Sequence, residues 1–147
     1  MMAVRIEWDD RLAIGVGDLD DGHKEIVDLY NRIVWACERD ASISRDASIS
    51  NVRERIRSFL MYARWHFGEE EEHMRRVRYP GYVDHKADHE RLLDDAGDFV
   101  ESLGGALTGE DGPAIISYFE FWLTRHLASK DAQLRDFLNN ADGGSPA

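Results

Sequence analysis

Two pairs of potential metal ligands occur at a spacing of four residues. The segment HFGEEEEHM, residues 66–74, contains His66 and Glu70, and the segment HKADH contains His85 and His89. Residues four apart lie on the same face of an α-helix, so each pair can present two ligand atoms in one direction. The alternative is a solvated acidic face that happens to carry histidines. The choice depends on which side chains face inward and on what the other elements bring to meet them.

Three further potential ligands lie elsewhere in the chain. His23 extends the apolar stripe of the first predicted helix, and His126 extends that of the last. A single histidine on an apolar face is usually a hydrogen-bonded core residue, but five such histidines would each need partners, and one shared cation site would satisfy them together. Asp131 lies roughly 140° around an ideal helix from His126, so it reaches the same point only if the helix bends or ends near residues 128–130. For Asp131 alone, a surface acid or a helix cap is the alternative.

The number and type of these groups favour two metal ions over one. Five imidazoles and two carboxylates are too many for one tetrahedral zinc site. If both carboxylates bridge two ions, together with a bridging oxo or hydroxo group, the imidazoles divide three and two. One ion is then saturated, and the other keeps one position for a small ligand. Nitrogen and oxygen donors without a thiolate suit Fe(II), with Mn and Zn as competitors.

Hydrophobic periodicity predicts four long helices that carry these ligands. Apolar residues recur at intervals of three and four in four segments, at about 19–39, 51–78, 84–104 and from 112 onwards. The segment RDASISRDASISN, residues 39–51, is predicted to be a polar loop. Pro80 and Gly81 are expected to end the second helix, and Asp84 is the predicted N-cap of the third. The pattern predicts an all-α fold, an antiparallel up-down-up-down four-helix bundle with a short amphipathic tail helix at 132–138.

The composition is that of one soluble globular domain with an acidic surface. The chain has 147 residues, a formal net charge of −11 and one cysteine, Cys37, so an internal disulfide is excluded. The negative charge argues against nucleic acid or an anionic membrane as a partner, and no apolar run reaches the roughly 18 residues of a membrane helix. We expect a cytoplasmic protein with an N-terminal arm at 1–17, a bundle at 18–140 and a disordered tail at 141–147.

The ordered set of motifs resembles the hemerythrin family, specifically its single-domain bacterial members. The matching segments are DDGH, HFGEE, HKADH and WLTRHLASKD, which occur in the order of the family. The resemblance implies the same four-helix bundle and a non-haem di-iron site that binds O2 reversibly. It also implies a role for each of the seven ligands. His85, His89 and His126 would bind the saturated iron, and His23 and His66 would bind the other iron. Glu70 and Asp131 would bridge the two.

Three residues depart from the family pattern or add to it. Gly22 stands where the family usually has glutamine, which loosens the start of the first helix and removes a polar neighbour of His23. Leu127 replaces the usual isoleucine, a mild change. His73, which follows Glu70 by three residues, is expected either at the edge of the bundle or behind a metal ligand, with a hydrogen bond to that ligand's side chain.

Several other side chains are assigned from their neighbours in sequence. Leu123, Phe67 and Leu127 are expected to line an O2 pocket, although ordinary core packing accounts for them equally well. Trp8 is expected to pack against the end of the bundle. The remaining glutamates of the acidic run are expected to form a solvated face: Glu69, Glu71 and Glu72.

The leading functional prediction is reversible O2 binding, for carriage, storage or delivery. The alternative is a sensor in which O2 or redox state changes the contact with an unidentified protein partner. A di-iron enzyme that processes peroxide or NO is a third class. Ferritin-type oxygenases use two Glu-x-x-His motifs, whereas this chain has only the one formed by Glu70 and His73. Because a nitrogen-rich site favours holding O2 over cleaving it, the chain is predicted not to be an enzyme.

Overall fold

Helices make up most of the described structure. The computed structural model describes residues 5–8, 13–40, 45–104, 107 and 111–142. Within these residues the elements are, in chain order, α1 Gly17–Asp40, α2 Arg45–Arg76, α3 Tyr82–Ser102, α4 Asp111–Ala128 and α5 Lys130–Asp142. No strand occurs in this part of the chain. The prediction of an all-α four-helix bundle with a C-terminal tail helix is confirmed. None of the described helices combines the length and the apolar composition needed to cross a lipid bilayer.

Contacts between neighbouring helices show an antiparallel arrangement. Near the start of α2, Arg53 donates a hydrogen bond to the carbonyl of Gly104, which follows the end of α3. Near the end of α2, Glu71 contacts His89 in the first half of α3. The two helices therefore run in opposite directions. α1 packs against both α2 and α4, which closes the bundle.

Two hydrophobic clusters fill the bundle. The larger cluster contains most of the apolar residues of α1, α2 and α4, among them the fully buried Tyr30, Phe59 and Phe119. The smaller cluster joins the loop before α1 and the ends of α1 and α2 to α5, through residues such as Ile14, Met74 and Leu134. Apolar burial of this kind stabilises a fold by about 25 cal/mol per Å² removed from water. The two clusters therefore fix the positions of the helices relative to one another at both ends of the bundle.

A polar layer separates the two clusters. On α1, Leu19 belongs to the smaller cluster and Ile26 to the larger one, with His23 between them. On α2, Phe67 belongs to the larger cluster and Met74 to the smaller one. The predicted ligands therefore occupy the level at which each helix passes from one cluster to the other.

The end of α2 is a Schellman motif with a non-glycine residue in the left-handed region. Arg78 has a φ of 57°. The amide of Tyr79 donates to the carbonyl of Met74 at 2.9 Å, and the amide of Arg78 donates to the carbonyl of Arg75 at 3.2 Å. These are the two hydrogen bonds that define the motif. Pro80 follows this cap and cannot continue the helix, which agrees with the predicted end of α2 before it.

Two predicted helix starts are wrong. Asp84 is not the N-cap of α3, because the helix begins at Tyr82, Gly81 is the N-cap, and no side chain caps it. Asp84 lies instead in the first turn, where a negative charge is favourable to the helix dipole. α2 begins at Arg45, so much of the loop predicted at 39–51 is helical. Each residue added to an existing helix gains a hydrogen bond, and the low helix propensity of Ser and Asp, under about 1 kcal/mol per residue, does not prevent this extension.

The described part of the N-terminal arm packs along the bundle. The amide of Ile6 donates to Oδ1 of Asn31 at 3.0 Å, and its carbonyl accepts from Nδ2 of Asn31 at 2.8 Å. Ile6 and Trp8 pack against the larger cluster, which agrees with the packing role predicted for Trp8. The predicted arm and tail also include residues outside the described ranges: 1–4, 9–12 and 143–147.

Candidate metal centre

The polar layer contains all seven predicted ligands. Their side chains come from all five helices, and none of these residues is more than 4% exposed: His23, His66, Glu70, His85, His89, His126 and Asp131. Their potential ligand atoms form two groups, and within each group the atoms lie within 4.8 Å of one another. The larger group consists of Glu70, His85, His89, His126 and Asp131. The smaller group consists of His23, His66 and Glu70.

Glu70 belongs to both groups because its two carboxylate oxygens point in different directions. Oε1 lies 2.7 Å from Nε2 of His85 and 3.0 Å from Nε2 of His89. Oε2 lies 3.2 Å from Nε2 of His23 and 3.5 Å from Nε2 of His66. One carboxylate thus connects imidazoles of α3 to imidazoles of α1 and α2.

Asp131 divides its oxygens in the same way. Oδ1 lies 3.2 Å from Nε2 of both His85 and His126, and Oδ2 lies 3.1 Å from Nε2 of His23. The helix break that the sequence requires for this geometry is present, because α4 ends at Ala128 and α5 begins at Lys130. This expectation is confirmed.

Several buried polar atoms of the layer have no hydrogen-bond partner within the described residues. Nδ1 of His23 and Nδ1 of His85 are among them. The other five are Nε2 of His66, His85 and His126 and both carboxylate oxygens of Asp131. These five atoms lie close together, yet they do not meet the angles of hydrogen bonds, as expected for atoms that face a common point. A buried polar atom without a partner is destabilising, and metal ions placed among these atoms would satisfy them. The donor set, imidazole nitrogen and carboxylate oxygen without sulfur, suits iron. The residues present therefore fit a dinuclear iron group.

Two further carboxylates orient ligand imidazoles from outside the layer. Nδ1 of His89 lies 2.8 Å from Oε2 of Glu71, and Nδ1 of His126 lies 2.8 Å from Oδ2 of Asp88. When each Nδ1–H donates to its carboxylate, the Nε2 lone pair faces the layer, which is the arrangement common to metal-binding histidines. The exposed Arg91 pairs with Asp88 in turn.

Neither of these carboxylates is predicted from the sequence to contact a metal ligand. Glu71 was assigned to the solvated face, and this assignment is wrong because its side chain is only 19% exposed and contacts His89. Glu69 and Glu72 are exposed as predicted. The signal for Asp88 was its position between His85 and His89, three residues after the first and one before the second.

Electrostatic interactions in the metal-free protein favour charged imidazoles beside charged carboxylates. Burial alone would lower the pKa of His126, but the carboxylates of Asp131 and Asp88 outweigh burial and raise this pKa to about 10. Burial alone would raise the pKa of Glu70, but the four imidazoles that surround its carboxylate hold it well below its usual range. The hydrogen bond from His126 lowers the pKa of Asp88. A metal ion that enters this layer must therefore displace protons from the imidazoles whose pKa is raised, such as that of His126.

Apolar side chains border the layer on the side of the larger cluster. The ring of Phe67 stacks on that of His89, with centroids 3.9 Å apart and an interplanar angle of 5°, and its centroid lies 5.4 Å from that of His126. Leu123 and Leu127 are buried in the same cluster. Phe67 thus lies against the three-histidine group. The assignment of these three residues to an O2 pocket stays a prediction.

His73 occupies a different environment from the other histidines. It is half-buried, and within the described residues its buried Nε2 has no hydrogen-bond partner. The side chains that do hydrogen-bond to ligand imidazoles from outside the layer are Glu71 and Asp88. The hydrogen bond from His73 to a metal ligand stays a prediction.

The sequence of the whole bundle matches a known family. The model of the hemerythrin HHE cation binding domain matches residues 14–138. The chain belongs to the hemerythrin family. Among individual hemerythrins, the chain is 28% identical to myohemerythrin of Sipunculus nudus over 134 residues, which cover 89% of this chain and 92% of the relative. It is 21% identical to bacteriohemerythrin of Clostridium acetobutylicum over 88% of this chain and 98% of that protein. It is 26% identical to bacteriohemerythrin of Methylococcus capsulatus over 79% of this chain and 82% of that protein.

Proposed function

We propose that this hemerythrin binds O2 reversibly at a carboxylate-bridged, non-haem di-iron site held by the seven buried side chains. The observation that carries the proposal is the division of oxygens at Glu70 and Asp131. Each carboxylate has one oxygen near the histidines of α3 or α4 and the other near His23. A carboxylate that serves one metal ion has no need to be shared in this way, so two ions side by side account best for both residues.

The proposed function depends on the unequal number of imidazoles at the two positions. Three histidines belong to the group with Asp131, whereas two histidines belong to the smaller group. With the bridges shared, the two-histidine position has one protein ligand fewer, and O2 is expected to bind there. When bound, the two ferrous ions would supply the reversible exchange of electrons with O2 that the protein side chains cannot provide.

The protein residues around the site support holding O2 over transforming it. Phe67, Leu123 and Leu127 are at most 5% exposed, and such an apolar border would limit the entry of water. The carboxylates of Glu71 and Asp88 fix two imidazoles in one orientation. We therefore infer a binding protein for carriage, storage or delivery of O2, and not an enzyme.

A spectroscopic titration tests the proposal. The protein is loaded with Fe(II) without oxygen, and visible spectra are recorded through repeated cycles of O2 and argon. We expect an absorption that appears with O2 and disappears under argon, with two irons per chain and one O2 per iron pair. Permanent oxidation at the first exposure, without recovery of O2, would overturn the proposal.

A matched pair of variants tests the bridging observation. Glu70→Gln keeps the size of the side chain but weakens it as a bridge, so we expect loss of at least one iron per chain and of the oxygen-dependent absorption. Glu69→Gln changes an exposed neighbour in the same acidic run and is expected to leave both unchanged. Equal iron content in the two variants would contradict the role of Glu70.

A further inference from the structure

Gly22 lies in the interior of α1 at the point where the helix meets the ring of His66. A Cβ atom added to Gly22 would lie 2.2 Å from Nδ1, 2.7 Å from Cε1 and 3.3 Å from Cγ of that ring. Ordinary contacts between such atoms are about 3.5 Å or more. Any side chain at position 22 would therefore force the imidazole of His66, or α1 itself, to move by more than about 1 Å.

The imidazole of His66 has little room in which to move. It is 1% exposed. The ring of His23 stands edge-on to it with centroids 4.6 Å apart, and Phe67 lies on another side with centroids 6.4 Å apart. The backbone of Gly22 thus forms one wall of the space that His66 occupies, and the hydrogen atom on its Cα is all that fits there.

The other helical glycines show that this requirement is specific to position 22. Cβ atoms added to Gly17, Gly68 or Gly97 would meet nothing within 4 Å, and one added to Gly112 would lie at an ordinary contact distance of 3.5 Å from Cβ of Cys37. A glycine inside a helix is less favourable than alanine because it loses more backbone entropy on folding. At Gly22 this disadvantage is accompanied by a benefit, because the absence of a side chain lets the ring of His66 on α2 lie against the backbone of α1.

We propose that Gly22 is a positioning residue for the two-histidine metal position. By leaving space for the ring, it allows Nε2 of His66 to lie 3.5 Å from Oε2 of Glu70, on the side that also contains His23. Although the family usually has glutamine at this position, α1 and the ring of His66 approach each other in this chain more closely than any side chain there would allow, so a side chain at position 22 displaces His66 and weakens this metal position selectively. The three-histidine position contains no atom of His66 and keeps its metal. This inference rests on the proposed di-iron function, because it concerns the position at which O2 is expected to bind.

Iron content and oxygen binding provide the first test. We expect two irons per chain in the wild type, about one in Gly22→Ala, and a loss of the oxygen-dependent absorption in that variant. Gly68→Ala places the same methyl group on an exposed helical glycine of α2 and is expected to keep two irons. Two tightly bound irons in Gly22→Ala, with wild-type oxygen binding, would overturn the proposal.

A double-mutant cycle in the metal-free protein provides a second, independent test. Gly22→Ala should lower the melting temperature of the wild type because the methyl group meets the ring. In His66→Ala the ring is absent, so the same change should leave the melting temperature unchanged or raise it, since alanine has the higher helix propensity. An equal loss in both backgrounds, including failure of both Gly22→Ala proteins to fold, would show that His66 is not the reason for Gly22.

The two tests separate this inference from the proposed function. If the wild type binds no iron pair or no O2, the proposed function fails, and the coupling between Gly22 and His66 is still measured in the metal-free cycle. If the wild type binds O2 reversibly and the cycle shows no coupling, the role of Gly22 alone is overturned.

Discussion

At the scale of single residues, Asp88 offers the sharpest test of how the protein orients its ligands. Asp88→Asn removes the carboxylate that accepts the hydrogen bond from Nδ1 of His126, so the imidazole loses its fixed orientation and a basic partner. Such changes behind a metal ligand typically weaken metal binding by about 10- to 100-fold. We expect a decrease in this range in the affinity for Fe(II), measured by competition with a chelator of known affinity.

Asp95→Asn is the matched control for this prediction. Asp95 is exposed on the same helix, and it lines, with Asp88 and His126, the same cavity of ≈ 550 Å³ between α3 and the last two helices. Its substitution removes one negative charge near the site without touching a ligand. If the two variants lose affinity equally, the general field of the cavity is responsible and not the hydrogen bond to His126.

The same residues show what the sequence can and cannot predict at this scale. His66 with Glu70, and His85 with His89, are predictable because a spacing of four residues places both members of a pair on one helical face. The contact of Glu71 with His89 joins α2 to α3. This contact depends on the orientation of both helices about their own axes, and no single spacing in the sequence specifies that orientation.

At the scale of elements, the end of α2 carries a measurable strain. Arg78 adopts a left-handed conformation with a φ of 57°, which glycine adopts at much lower cost. Arg78→Gly should therefore stabilise the protein by about 0.5–1 kcal/mol. The measurement is chemical denaturation of the metal-free protein.

The control for this prediction is a glycine placed two residues earlier. Arg76 is the last residue of α2 and has no need of a left-handed conformation, so Arg76→Gly should destabilise the protein by up to about 1 kcal/mol. A loss of stability in both variants would indicate that the side chain of Arg78 contributes more than its backbone conformation costs.

Helix existence is predictable from this sequence, whereas helix ends are less so. The apolar stripes specify the four long helices, because burial of a continuous face outweighs the propensities of individual residues. The ends depend on weaker effects. The segment from residue 45 has the composition of a loop but is helical, and α3 begins two residues before Asp84. The end of α4 at Ala128 is the helix end that the sequence does predict, because Asp131 can reach the site of His126 only if the helix breaks there.

At the scale of the whole molecule, the two hydrophobic clusters hold charged groups where isolated charges would not be stable. His23 and Glu70 are at most 2% exposed, and neither would be buried in ionised form without its oppositely charged neighbours. Burial of the two apolar clusters provides the favourable free energy of folding. The pairing of imidazoles with carboxylates reduces the unfavourable free energy of removing these charges from water. The stability of the metal-free protein must therefore depend on the protonation of this layer.

The direction of this dependence follows from the pKa shifts. His126 has a pKa of about 10 in the folded protein, against about 6.5 in an unfolded chain, and the neighbouring carboxylates also raise the pKa of His85 in spite of burial. Between these values the folded state holds more protons than the unfolded state, so stability is fully present below about pH 6.5 and falls as the pH rises towards 10. Glu70 has a lowered pKa, so its contribution is present above about pH 4 and is lost as the pH falls further.

We therefore predict that the metal-free protein is most stable between about pH 4.5 and 6.5. Above that range, each imidazole that keeps its proton only in the folded state lowers the free energy of unfolding by about 1.4 kcal/mol per pH unit. Bound metal ions replace these protons, so the iron-loaded protein should not show the alkaline loss, and the difference in melting temperature between the two forms should widen from pH 6 to pH 9. Thermal melts without oxygen measure both forms. A metal-free melting temperature that stays level over this interval would mean that His85 and His126 are neutral in the folded protein, and that metal binding releases no protons from them.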